Sequence, residues 1–278
     1  LAEPWRTMDA ETLEREYNPR VTVADPMACF RAYQAASDEA RLTLQVEADI
    51  RYGDGPNQAL DIYPAAGADA PVHLFFHGGY WRSQDKRDYA FVARRLVAKG
   101  VTTVVANYDL CPSVPVATIE LQALQCLDFV WDQRRALGID PRRISVSGHS
   151  AGGQLAMRLL RDRPDRLAAV TAISGVFDLE PLIATSINQE LRLNEATART
   201  ASPMHWIMPA SAAPAWLVVG GDESEEFRRQ TRAFAARIGP VVSDCAVWEV
   251  PGANHFDVLQ AVFDRAASVL RLTGGTAR

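Results

Sequence analysis

Six short apolar runs, at residues 72–76, 102–107, 144–147, 168–174, 216–220 and 246–250, constrain this chain more than any other feature. Each is a short, mostly apolar stretch, the pattern of a strand buried on both faces. Between them lie segments with apolar residues at three- and four-residue spacing, such as Tyr89/Val92/Ala93/Leu96, Leu155/Ala156/Leu159/Leu160, Phe227/Thr231/Phe234/Ile238 and Leu259/Val262/Phe263/Ala266/Leu270. That spacing puts one apolar stripe on a helix. Strands alternating with helices predict an α/β architecture, a mostly parallel central sheet covered by helices on both faces. Residues 46–63 differ. Val46, Ala48, Ile50 and Tyr52, then Leu60 and Ile62, alternate with polar residues about the turn Gly53-Asp54-Gly55-Pro56-Asn57, which predicts an antiparallel N-terminal hairpin.

Residues 1–45 read as a helical N-terminal extension, with Asp25 as N-cap, Pro26 at the first helical position, and Met27 and Phe30 turned inward. Residues 177–213 are longer than a crossover needs and are punctuated by proline, so a small lid-like insertion is expected there. With 278 residues, the span 1–278 is expected to form one domain.

In an open parallel sheet, reactive groups collect where strands end at their carboxyl edge. At those ends stand His77-Gly78-Gly79-Tyr80-Trp81, then Gly148-His149-Ser150-Ala151-Gly152, then Gly221-Asp222-Glu223-Ser224, and finally Asn254-His255-Phe256-Asp257. The second contains Gly-x-Ser-x-Gly, in which a serine at a sharp strand-to-helix turn exposes its hydroxyl. Such a serine needs a base to accept its proton, and His255 fits. The base needs a carboxylate that fixes its tautomer. Asp222 follows its strand most directly and is the acid expected, with Glu223 and Asp257 as the alternatives. The order Ser150, Asp222, His255 is that of α/β-hydrolases. Oxyanion donors are expected from the N–H groups of Gly78, Gly79, Tyr80 and Ala151. His77 is read as holding its glycine-rich loop through backbone hydrogen bonds. Tyr80, Trp81, His149 and Trp206 are candidate substrate contacts.

Composition narrows the class. A net charge of −5 with no basic stripe argues against nucleic acid. No apolar segment approaches the ~18 residues of a membrane span. The acidic, charged first twenty residues are the wrong composition for a signal peptide, and four scattered cysteines suit a reducing compartment, so a cytoplasmic location is expected. Five histidines without ligand spacing suggest no metal, and nothing suggests a cofactor. The expected partner is a small-molecule aryl amide or ester; a homodimer stays open.

These motifs resemble the esterase and lipase superfamily of α/β-hydrolases, and in detail its kynurenine formamidase branch. The resemblance is carried by His77-Gly78-Gly79-Tyr80-Trp81, where hormone-sensitive-lipase relatives have a third glycine at Tyr80. Supporting it are Asn107-Tyr108-Asp109-Leu110-Cys111-Pro112, Gly148-His149-Ser150-Ala151-Gly152-Gly153, Gly221-Asp222-Glu223-Ser224-Glu225-Glu226-Phe227 and Asn254-His255-Phe256-Asp257. It implies a serine hydrolase that cleaves an aryl formamide of the N-formylkynurenine type through an acyl-serine, with a short-acyl carboxylesterase as the alternative. A non-catalytic binding protein on the same fold is the remote one.

Overall fold

The computed structural model describes residues 3–67, 70–133 and 139–265, leaving out the side chains of 139–143; the expected stripe positions Ala266 and Leu270 lie outside the described residues. Eight strands form one sheet: β1 (Glu47–Arg51), β2 (Ala59–Tyr63), β3 (Ala70–Phe76), β4 (Thr102–Ala106), β5 (Ile139–His149), β6 (Ala169–Ile173), β7 (Ala215–Gly220) and β8 (Cys245–Val250). Their order across the sheet is β1-β2-β4-β3-β5-β6-β7-β8. β1 and β2 form the expected hairpin and β2 joins β4 antiparallel, whereas the other neighbours are parallel.

The helices are α1 (Ala10–Tyr17), α2 (Pro19–Thr22), α3 (Pro26–Thr43), α4 (Ala93–Ala98), α5 (Val116–Gln133), α6 (Ala151–Asp162), α7 (Asn188–Leu191), α8 (Glu195–Ala201), α9 (Glu225–Ile238) and α10 (Asp257–Asp264). Successive strand residues point to opposite faces, and the core divides accordingly. Leu74, Phe76, Val104, Val146, Ala172 and Leu217 pack with apolar residues of α5, α6 and α9 on one face. Phe75, Val105, Ile173 and Val218 pack with those of α3, α4 and α10 on the other. Burial on both sides is why the central strands β3, β4, β6 and β7 are mostly apolar, whereas β1, which alternates, and the half-buried β8 lie at the edges of the sheet.

Parallel pairing brings the strand ends together. Phe76 lies beside Gly148, and Gly220 beside Val250. The loops after β3, β5, β7 and β8 therefore share one edge.

The N-terminal extension wraps that edge. Tyr17 is fully buried; its hydroxyl donates to Glu226, and its carbonyl accepts from the Tyr80 hydroxyl. Ser224 Oγ donates to the Glu16 carbonyl at 2.6 Å. The Asp25 cap forms as expected, accepting from the Ala28 N–H at 2.8 Å. Phe30 turns inward against Phe256, with ring centroids 5.1 Å apart, but Met27, in the first turn of α3, stays exposed. Between β6 and β7 the chain makes the short helices α7 and α8 and two 3-10 turns. No helix among the described residues is long and apolar enough to cross a membrane.

Candidate active site

Ser150 sits between β5 and α6 with φ 56° and ψ −117°, a conformation that costs a non-glycine residue strain. Close packing of α6 against the sheet enforces it. A Cβ on Gly148 would overlap the Gly152 carbonyl oxygen, and one on Gly152 would overlap the Phe76 carbonyl oxygen. Glycine at both positions lets the turn close, and the N-terminus of α6 then faces the reaction centre. An added Cβ on Gly78 would lie 3.2 Å from Ser150 Cβ, so the glycine-rich loop runs directly beside Ser150.

His255 comes from the loop after β8 and is buried. Its Nδ1 lies 2.6 Å from Glu223 Oε2. The other Glu223 oxygen accepts from the Gly220 N–H at 2.6 Å and from the Ser174 hydroxyl. This buried carboxylate is therefore locked by two donors on one side and faces imidazole on the other. The structure corrects the choice of acid: Asp222 is exposed, and its contact with this loop is a backbone N–H to the Ala253 carbonyl at 3.0 Å. The reason is local. Gly221 and Asp222 form the turn leaving β7, and the residue after them points back beneath His255. Asp257 accepts from the Asn254 amide at 2.5 Å and opens α10, away from the imidazole.

His149 is sealed in the wall of the site. Its Nε2 donates to the His255 carbonyl at 2.8 Å, so this bond helps place the base. Burial, reinforced by the neighbouring His255, pushes the His149 pKa down to about 3, so the ring is neutral. Nδ1 has no hydrogen-bond partner among the described residues. His77 holds its loop as expected: it pairs with the Gly78 carbonyl at 2.7 Å and Asn107 Oδ1 at 2.9 Å, and stacks on Tyr108 with centroids 4.3 Å apart.

The cavity above Ser150 measures about 30 Å³ and is walled by Gly79, Tyr80, Tyr89, His149, His255 and Phe256. Asn18, Pro19, Arg20 and Phe30 of the N-terminal extension close it, and Arg82 and Gln84 also line it. Thus the extension roofs the cavity, and the insertion at 177–213 supplies none of its lining. A groove of about 400 Å³ reaches His255 from another side, past Arg15, Asp222 and Asn254.

Two expected substrate contacts lie elsewhere. Tyr80 and Trp81 both have positive φ, 50° and 52°, and this backbone twist turns them to different environments. Tyr80 lines the cavity, while Trp81 is fully buried in the core. Trp206 lies 4.6 Å from the Arg161 guanidinium and donates its indole N–H to the Thr200 carbonyl at 2.8 Å. Arg161 is eleven residues along α6 from Ser150, about 16 Å at 1.5 Å per residue, so Trp206 packs far from Ser150. Sequence reasoning missed Arg20 and the aromatic wall made by Tyr89 and Phe256. Only the inward position of Phe30 was signalled.

One group of side chains has metal-ligand chemistry among the described residues: Glu3, Glu180 and His205, whose ligand atoms lie within 4.8 Å of one another. It already pairs with Arg6 and Arg199 and stands outside the cavity lining.

Comparison with known proteins agrees with this architecture. A family profile for the alpha/beta hydrolase fold matches residues 73–258. The chain is 26% identical to kynurenine formamidase of Danio rerio, over 94% of each sequence. It is 27% identical to kynurenine formamidase of Drosophila melanogaster, over 76% of this chain and 75% of that one. A crystal structure from Silicibacter sp., assigned provisionally as a thioesterase, superposes with a TM-score of 0.83 at 26% identity, covering 94% of this chain and 98% of that one. A thermostable carboxylesterase cloned from a metagenomic library superposes at 0.72 with 20% identity, over 92% and 99% of the two chains, and shares the fold.

Proposed function

Because this chain belongs to the alpha/beta hydrolase fold family, we propose that it is a serine hydrolase of small aryl amides or esters, with an aryl formamide of the N-formylkynurenine type as its substrate. The observation that carries the reading is the Glu223–His255 pair, 2.6 Å apart, with His255 and Ser150 lining one cavity at the sheet edge. The aromatic walls, Tyr80, Tyr89 and Phe256, suit an aryl leaving group. The kynurenine formamidases of Danio rerio and Drosophila melanogaster point the same way.

In this mechanism the Ser150 hydroxyl attacks the formyl carbon while His255 Nε2 takes its proton. Glu223 holds Nδ1–H and stabilises the imidazolium. The oxyanion that forms is met by the Ala151 N–H at the start of α6 and by N–H groups of the Gly78, Gly79 and Tyr80 loop. Each such donor is worth about 3–4 kcal/mol in the transition state. The imidazolium then protonates the aryl nitrogen, the C–N bond breaks, and formyl-Ser150 remains. Water, deprotonated by His255, attacks that ester; formate leaves and Ser150 recovers its proton. The chemistry calls on no cofactor.

Initial rates on N-formylkynurenine, formanilide and a panel of short aryl and alkyl esters test the reading. Formamide turnover abolished in Ser150→Ala is expected. Ester hydrolysis with no formamide turnover would overturn the formamidase assignment in favour of a short-acyl carboxylesterase.

A further inference from the structure

We propose that Arg20, on the N-terminal roof of the cavity, is a specificity-determining residue that binds an anionic substituent, a carboxylate above all, on the leaving-group side of the substrate. The inference deepens the amide or ester hydrolase reading and rests on it. Arg20 lines the same cavity as Ser150 and His255. Its guanidinium donates to Ser83 Oγ at 2.9 Å and lies 5.4 Å from the centre of the Phe30 ring. An Arg stacked near an aromatic wall still has several donors in a planar fork, the geometry that receives a carboxylate in two parallel hydrogen bonds.

Its surroundings lack the charge that would satisfy it. Neighbouring Arg82 has a carboxylate partner, Glu190 at 2.6 Å, whereas no ion pair engages Arg20 among the described residues. Two guanidiniums thus share one carboxylate at the cavity mouth. Arg20 is exposed at the cavity rim; partial desolvation there and the adjacent Arg82 charge both disfavour its cation, and an incoming anion relieves the second effect. The carboxyl-bearing tail of an aryl formamide extends from the ring, away from the formyl carbon. With the formyl group at Ser150, an aryl ring held among Tyr80, Phe30 and Phe256 directs that tail toward the roof. The same arrangement explains why the extension is clamped at Tyr17 and Glu16: it carries part of the binding site.

The test compares substrates that carry a carboxylate with ones that lack it, termed anionic and neutral for that group alone, within two families: zwitterionic N-formylkynurenine against formanilide, and carboxyphenyl acetates (ortho, meta and para) against phenyl acetate. The readout is the ratio of kcat/KM, anionic over neutral, in the wild type, Arg20→Met and Arg20→Lys. Loss of a charge-assisted bidentate contact is expected to lower the ratio ten- to hundredfold in Arg20→Met, through KM, with partial recovery in Arg20→Lys. A ratio that stays within twofold, or anionic and neutral rates that fall equally, would overturn the proposal. Wild-type enzyme that cleaves the acetates but neither formamide refutes the formamidase reading alone, and the acetate ratio then decides the role of Arg20.

Discussion

Replacing Glu223 by Gln changes one atom of the site and predicts its own direction of failure. Glu223 Oε1 accepts from the Gly220 N–H at 2.6 Å and from Ser174, so a glutamine must leave its carbonyl oxygen there. Its NH2 is then aimed at His255 Nδ1, 2.6 Å away in the parent. An amide donor at that place makes Nδ1 the acceptor and puts the imidazole proton on Nε2, where it cannot accept the Ser150 proton. Amide exchange of the acid in a serine triad costs about 10⁴-fold in kcat, roughly 5 kcal/mol of barrier. We therefore expect Glu223→Gln to lose about 10³- to 10⁴-fold in kcat on phenyl acetate, with KM little changed. Asp222→Asn, at the exposed turn residue, should lose less than about threefold, as most surface changes do. Both melting temperatures should stay near wild type, since the two donors to position 223 keep an acceptor. The reverse pattern, a dead Asp222→Asn beside an active Glu223→Gln, would refute the assignment of the acid.

Gly152→Ala places a methyl into the Phe76 carbonyl, which forces α6 off the sheet edge; we expect at least a tenfold loss of kcat together with a lower melting temperature, and wild-type values in both would contradict the elbow packing. Trp206→Phe, remote from the cavity, should keep kcat/KM within twofold; a larger fall would return Trp206 to the site. His73 and His149 are enclosed, and burial pushes each pKa down to about 3 from an ordinary 6.5. The unfolded chain therefore binds more protons between pH 3 and 6.5, so stability is complete above 6.5 and falls as pH drops. Each histidine contributes about 2 kcal/mol of loss between pH 7.5 and 5. Urea unfolding of His73→Asn at both pH values should show that difference reduced by about 2 kcal/mol, and an undiminished difference would contradict the argument.

The sheet and the edge that gathers its motif loops were legible because central strands buried on both faces are mostly apolar runs, and parallel pairing sends their carboxyl ends the same way. The elbow was legible because Gly148 and Gly152 are needed wherever a helix starts this close to a strand. The carboxylate that faces His255 was legible only to within a residue. Asp222 and Glu223 are both carboxylates in the turn after β7, and the direction each points depends on turn geometry that the residue types do not specify. Trp81 illustrates the same limit, since its place in the core follows from the positive φ at Tyr80 and Trp81. The roof was least visible. Contacts such as Tyr80 to Tyr17 and Ser224 to Glu16 join residues far apart in the chain, and helical periodicity in the extension says nothing about which loop it covers. The segment 177–213, expected as a lid-like insertion, supplies none of the lining of the cavity.

The central claim is that Ser150 becomes the covalently acylated residue. Treating the folded protein with a fluorophosphonate and mapping the adduct by peptide mass spectrometry tests it most directly. The account predicts one adduct per chain, on Ser150, none in Ser150→Ala, and slowed labelling in Glu223→Gln. An unlabelled wild-type Ser150, or a stoichiometric adduct on another residue, would contradict it.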